Sequence, residues 1–264
     1  KQPSMTAATL AGAMGEARGA RDYVALSEHI ARTARSQLAA VLGNLGAVIP
    51  VALMIDVLWR LFTGAAFLSV DKAQYTIASL DPLSTGTIFY AALTGVLLWS
   101  SSMIAGSLEN WAVYRRLPEA IAKHRRLRRW VGDATAARWG DLLAHNVSAV
   151  GGSAVLGFLL GMTAVIGGFF GLPLDVRHVT LSTGSLAFAV AALGPSAALA
   201  SGALAAVVGI AVIGLLNFGV SFALALMVAL RAREVSRHDT VRVGMLVLRR
   251  FVRDPRPFFW PPRA

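Results

Sequence analysis

The sequence predicts an all-α, polytopic helical membrane protein with about four full spans, one short or re-entrant helix, and basic helices on the cytoplasmic side. Three observations predict it. Apolar residues fill 56% of 264 positions against 15% charged, and the mean hydropathy is +0.61. The apolar residues lie in blocks at 36–59, 86–108, 147–172 and 197–230, each long enough for a crossing that needs roughly 20 such residues. No block shows the continuous polar face of a soluble amphipathic helix, and none shows the short alternating segments of a transmembrane barrel. A segment in hydrocarbon must satisfy its own backbone, which makes these blocks helices.

The third observation is the placement of the charge. The net charge is +11. Segment 1–35 carries Lys1, Arg18, Arg21, Arg32 and Arg35; segment 110–146 carries Arg115, Arg116, Lys123, Arg125, Arg126, Arg128, Arg129 and Arg138; 231–264 carries nine arginines. The connection 60–85 has only Arg60 and Lys72. Lys and Arg collect on the cytoplasmic side of a span. The expected organisation is therefore a cytoplasmic amphipathic segment 1–35, a transmembrane domain 36–230 with a cytoplasmic basic hairpin at 110–146, and a cytoplasmic basic, Pro/aromatic tail 231–264. The chain is expected to be multi-pass, with both ends of the given sequence cytoplasmic. An even number of crossings then separates 110–146 from the tail, so the short apolar stretch 180–193 enters and leaves on the outer side.

The elements follow in order. Residues 16–35 read as a short amphipathic helix, with Val24, Leu26 and Ile30 among charges, and the first span follows with Asn44, Pro50 and Asp56. Pro50 removes a backbone donor and predicts a kink; Asp56, near the outer end, is expected to be wet. The second span carries Ser100-Ser101-Ser102 midway and leaves the bilayer at Trp111 and Tyr114, residues suited to headgroup level. Pro118 and Glu119 fit the first turn of a basic helix running to about Val131. A second short helix over 134–145 leads into the third span, where Ser153, Gly157 and Gly161 recur every four residues and predict close helix packing. Block 197–230 exceeds one perpendicular span; it tilts, extends past the bilayer, or breaks near Asn217-Phe218-Gly219. Proline density in 255–262 argues against a final helix.

Ionisable and amide groups at membrane depth are functional candidates. The candidate polar cluster is Asp175, Arg177, His178, Asn217, Asn44 and Asp56. The segment Asp175-Val176-Arg177-His178 lies between apolar stretches and is the most unusual local feature; it reads either as a binding site or as an ion pair capping a loop. Asp175 and Arg177 would diverge on a regular helix, and Pro173 disfavours helical geometry before it. A turn is therefore expected, with at least one charge paired to another segment; Asn217 or the serine run supplies polar contacts. Asn44, Asn146 and Asn217 each begin a similar short string, a weak internal echo. Arg125, Arg126, Arg128 and Arg129 form a basic patch expected to lie on anionic lipid headgroups rather than on nucleic acid.

The strings 1–8, 43–50, 171–179, 215–222 and 253–259 carry a resemblance over the whole chain, above all Leu172-Pro173-Leu174-Asp175-Val176-Arg177-His178 and Arg253-Asp254-Pro255-Arg256-Pro257-Phe258-Phe259. They are similar to the C-terminal part of the proteobacterial integral membrane family labelled site-specific recombinase, after a gonococcal member. The chain opens on Lys1 with no apolar core in 1–15, so a longer protein N-terminal to it is the expected partner, together with the lipid bilayer; self-association stays open.

The family label implies DNA rearrangement. A tyrosine recombinase needs a tyrosine nucleophile beside arginines and a histidine that stabilise the attacked phosphate. Tyr23, Tyr75, Tyr90 and Tyr114 stand in no such pattern, and Asp175-Val176-Arg177-His178 reverses the His-x-x-Arg order. There are no cysteines, His29, His124, His145, His178 and His238 are scattered, and no phosphate-binding loop or nucleophile elbow is visible. The expectation is no catalytic residue, metal or cofactor, and a transporter-like or scaffold membrane module. The alternatives are a membrane-associated recombinase or DNA-binding protein and a lipid-acting membrane enzyme.

Overall fold

A computed structural model describes residues 3–16 and 20–260. Lys1, Arg18 and the end of the Pro/aromatic tail lie outside the described residues. Among the described residues, twelve helices follow in the order α1 Pro3–Glu16, α2 Ala20–Thr63, α3 Val70–Ser79, α4 Thr87–Tyr114, α5 Leu117–Ala122, α6 Arg125–Val131, α7 Asp133–Phe170, α8 Val179–Leu193, α9 Pro195–Ala200, α10 Ala203–Ala232, α11 Arg237–Arg253 and α12 Arg256–Phe259. Helices α2, α4, α7 and α10 are long and apolar enough to cross a membrane, and α8 is apolar but shorter. The all-α polytopic class is the one the apolar blocks specify.

The packing makes a row. Helix α7 packs on α4, α4 on α10, and α10 on α8, which joins α2 to the rest. Small residues set the close approaches. A side chain on Gly95 would strike Val220 and the carbonyl of Leu216, one on Gly151 would strike Leu108, and one on Gly140 would strike the carbonyl of Pro118. Backbones that approach this closely gain dispersion contact, the main attraction between helices when the surroundings are as apolar as they are. The outward faces stay apolar, with Met54, Val57 and Leu61 exposed on α2 and Val150, Phe158 and Phe169 on α7, as a hydrocarbon solvent allows.

Several boundaries differ from the sequence reading. Helix α2 runs without a break from Ala20 to Thr63, where a short amphipathic helix followed by a separate span was expected. Helix α7 likewise takes in 134–145 and the third span as one element. In both, no strong breaker interrupts the apolar-to-basic junction, so the helix simply extends beyond the apolar stretch. The basic helix of the hairpin is instead two pieces, divided at Lys123-His124, where the His124 ring accepts the N–H of Leu127 and caps α6. The long last block resolves into α9, a break at Ser201-Gly202 with Gly202 at φ +91°, and α10, which passes through Asn217-Phe218-Gly219 unbroken. The expected packing face Ser153, Gly157, Gly161 is exposed, and added side chains on the two glycines would meet nothing.

The end of the bundle that carries the basic hairpin (the basic end) has its own core. Leu10, Ala11 and Met14 of α1 pack with Leu26, Leu230 and Val243. The tail folds back on α2. Arg35 donates to the carbonyl oxygens of Pro257 at 2.6 Å and Trp260 at 3.1 Å, Arg250 donates to the Ser27 hydroxyl at 2.6 Å, and Phe258 is buried. The prolines do not prevent a last turn of helix, because α12 has proline in its first turn, where no intrahelical donor is needed.

The opposite end is closed by α3, whose Ala73 and Ile77 are buried with Leu80, Val179, Leu186, Ile210 and Ile213. This core sits beside the segment that links α7 to α8.

Candidate functional site

Helix α7 ends at Gly171, which turns in the left-handed region at φ +62°. Residues 172–178 then run as irregular backbone, and α8 starts at Val179. Pro173 accounts for the loss of helix here. Gly167 permits the turn, because a side chain there would press on Leu174 and the carbonyls of Leu172 and Leu174.

The segment descends into the bundle. Its lower end is held by Asn217, at the middle of α10 and 3% exposed. The Asn217 Oδ1 accepts the N–H of Val179 at 3.1 Å, and its Nδ2 donates to the carbonyls of Arg177 at 2.9 Å and Ala91 at 3.0 Å. One amide therefore joins α4, α8, α10 and the irregular strand. It also satisfies a first-turn N–H of α8, which has no partner within its own helix. Thr94 of α4 adds a second anchor: its Oγ1 accepts the N–H of Arg177 at 3.0 Å and donates to the carbonyl of Tyr90 at 2.8 Å.

Helix α8 then returns to the end it came from. Its last turn meets the end of α2, where Arg60 donates to the Ala191 carbonyl at 2.7 Å. Phe188 stacks on Phe67 at 4.6 Å between ring centroids. Fifteen residues rise only about 22 Å as a helix, short of the roughly 30 Å of a hydrocarbon core. The 171–193 unit thus enters the bundle to the level of Asn217 and returns to the end of α2.

The loss of helix accounts for the charged pair. On a helix, residues two apart diverge; 172–178 is irregular backbone with a tight turn in which the Leu174 N–H bonds the Leu172 carbonyl. Arg177 Nη2 meets Asp175 Oδ2 at 2.8 Å. The pairing to another segment is weaker than expected, a contact at 3.5 Å from Arg177 Nη1 to the Ser79 hydroxyl of α3. The Arg177 side chain is 14% exposed and that of Asp175 is 49% exposed. Asp175 Oδ1 is already occupied by the N–H of Val176 at 2.7 Å. The Nε of Arg177 and the Nδ1 of His178 are buried, and neither has a hydrogen-bond partner among the described residues.

Above the pair is a cleft of about 560 Å³ whose walls include Tyr75, Ser79, Thr85, Tyr90, Asp175 and Arg177. Its lip is ordered by Asp81, which accepts the N–H of Leu83 at 2.9 Å and the hydroxyl of Ser84 at 2.7 Å. These bonds hold the Asp81 carboxyl below the ordinary carboxylate range. The contribution of this lip to stability is present above the unfolded carboxylate value and is lost as pH falls through the lowered one.

The remaining candidates lie elsewhere. Asp56 is buried rather than wet. It pairs with Arg60 at 2.6 Å, four residues on, and accepts the N–H of Phe67 at 2.8 Å, so it fastens the loop after α2. Asn44 is exposed on α2, and Asn146 is exposed with its amide bonded to the Leu142 carbonyl. The echo among the three asparagines therefore reflects no shared environment. Ser100, Ser101 and Ser102 of the serine run donate to carbonyls of their own helix at Val96, Leu98 and Trp99, a common outlet for a hydroxyl in a helix. Arg125, Arg126 and Arg129 are exposed at the basic end, and Arg128 makes two bonds to Asp133 at 2.6 and 2.7 Å.

Thr94, Ser79 and Tyr90 belong to the site and were not among the sequence candidates. Tyr90 and Thr94 stand four apart in an otherwise apolar stretch, a polar stripe on one face of α4 that marks its inward side.

No curated protein matches the chain, and no solved structure does. The family model described as site-specific recombinase matches residues 1–261, and the chain belongs to that family.

Proposed function

We propose that the chain is a non-enzymatic membrane module, transporter-like or scaffold, in a bacterial inner membrane. Its basic hairpin and both ends face the cytoplasm, and the Asp175–Arg177 cleft opens on the other side. The observation that carries this reading is the irregular strand 172–178, fastened by Asn217 at the mid-depth of an apolar bundle. Backbone that is neither helix nor barrel is tolerated there only inside protein or along a wet cavity. Half-helices that end at such a depth commonly build solute sites. Reporter fusions test the orientation. Lys123 and Arg242 should read cytoplasmic and Lys72 external; opposite compartments for Lys123 and Arg242 would make α8 a full crossing and remove the hairpin.

The family description supports a second reading, a membrane-tethered protein that acts on DNA, and the exposed Arg125, Arg126 and Arg129 offer it a surface. The module reading assigns these arginines to anionic headgroups, at about 1 kcal/mol each. The two differ in binding. Duplex DNA should bind the purified protein weakly, with steep loss of affinity as salt rises and no sequence preference. Nanomolar, sequence-specific binding at physiological salt, or strand cleavage, would establish the recombinase reading instead.

A further inference from the structure

The cleft contains an arginine that its own chain leaves under-used. A guanidinium has five N–H donors in a planar fork. Here Nη2 has a carboxylate oxygen, Nη1 has a hydroxyl at the limit of hydrogen bonding, and Nε is buried with no acceptor. Asp175 does not complete the fork: its Oδ1 accepts the Val176 N–H and makes no bond to Nε. Asp175 is also the half-exposed member of the pair, so it can turn out into water at little cost. A carboxylate in this position thus achieves one contact where the fork can make two or more.

We infer that the cleft binds a phosphate group, carried by a lipid headgroup or by a soluble phosphate ester, on the Arg177 guanidinium, and that Asp175 is the counter-ion the phosphate displaces. A phosphate presents enough oxygens to bridge Nε and Nη2 and to reach Nη1, where a carboxylate has two. Tyr75, Tyr90, Pro173 and Leu174 give the rest of the wall aromatic and apolar surface for the carrier of the phosphate. The cleft is far larger than a bare anion requires, which fits an ester. The inference rests on the proposed membrane module and goes beyond it in naming the ligand chemistry.

The test uses the purified protein in a phosphate-free sugar detergent, followed by its thermal unfolding midpoint. One arm adds glycerol 3-phosphate, a second adds short-chain phosphatidylglycerol, and chloride at matched ionic strength is the control. The midpoint should rise in at least one phosphate arm and not with chloride. A response to the lipid alone identifies a headgroup site, and one to the ester an aqueous solute; either supports the inference. Arg177→Gln should abolish the rise. If that variant does not fold, Asp175→Asn decides. Freed of its competitor, Arg177 should bind the phosphate at least about threefold more tightly, whereas a purely structural ion pair predicts no gain. A wild-type response no greater than that to chloride, a response that survives Arg177→Gln, or unchanged or weaker binding in Asp175→Asn would overturn the inference. The fusion reporters are independent of this assay, so orientation can stand while the phosphate assignment falls.

Discussion

Replacing Gly209 with alanine is expected to be among the most damaging single changes in the molecule. Gly209 lies nearly two turns into α10, where the chain leaving α3 crosses it, and an added methyl would overlap the Leu80 carbonyl. The obstacle is backbone, so no rotamer change relieves it. Either α10 or the end of α3 must move, and Leu80, Ile77 and Ile213, all almost fully buried, lose their packing. Overpacking of this kind costs about 1–3 kcal/mol, and displacing one large buried side chain adds about 1.5–3 kcal/mol. A loss of about 3 kcal/mol or more is therefore expected, read from unfolding in detergent. Gly157→Ala is the matched control: it too is a mid-helix glycine, but its side chain would meet nothing. Alanine is the better helix former by about 0.8–1 kcal/mol, so the control should be neutral or stabilising. Equal stability of the two variants would mean that α3 does not seal this end of the bundle.

The spans were legible because hydrocarbon imposes a requirement that composition alone reveals: long apolar runs with charges between them. Charge parity carried one step further. With basic segments on either side of the third and last apolar blocks, the short stretch 180–193 is expected to return to its starting side, and within the bundle the last turn of α8 lies against Arg60 at the end of α2. What stayed hidden depends on which helix face meets a neighbour. Asn44 and Asn217 begin similar strings, yet one is exposed and the other joins four segments. A local string cannot report this, because the difference lies in what stands opposite. The same holds for the serines of α4, which turn back on their own helix, and for the glycines of α7, whose spacing promised a partner that the described residues do not supply. The Asp175–Arg177 pair was obscured for a different reason. Residues two apart diverge on a helix, and the two charges meet because 172–178 is not helical. Asp56 lies near the end of its apolar block yet is buried, because the loop it fastens folds over it.

Asn217 is where fold and candidate site depend on one side chain. Asn217→Ala removes three hydrogen bonds at once. The Ala91 carbonyl keeps its bond within α4, so its loss is small. The Val179 N–H and the Arg177 carbonyl are different: each belongs to the hairpin, sits in an apolar interior, and has no other bond among the described residues. Interhelical side-chain hydrogen bonds in membranes average only about 0.6 kcal/mol, since the separated helices find other partners. That average does not apply to non-helical backbone, whose stranded groups have no internal alternative, and each then costs about 1–3 kcal/mol. The expected destabilisation is therefore about 2–6 kcal/mol, above what three average membrane bonds would supply. The effect should also be local. The chain has no cysteine, so a single Val176→Cys substitution provides a clean probe of the strand. In the Asn217→Ala background, water-soluble thiol reagents should label that cysteine about tenfold faster, as a 1.4 kcal/mol rise in the open population implies. Unchanged unfolding together with unchanged labelling would show that the hairpin holds its depth without Asn217, through Thr94 and the buried α8 contacts alone.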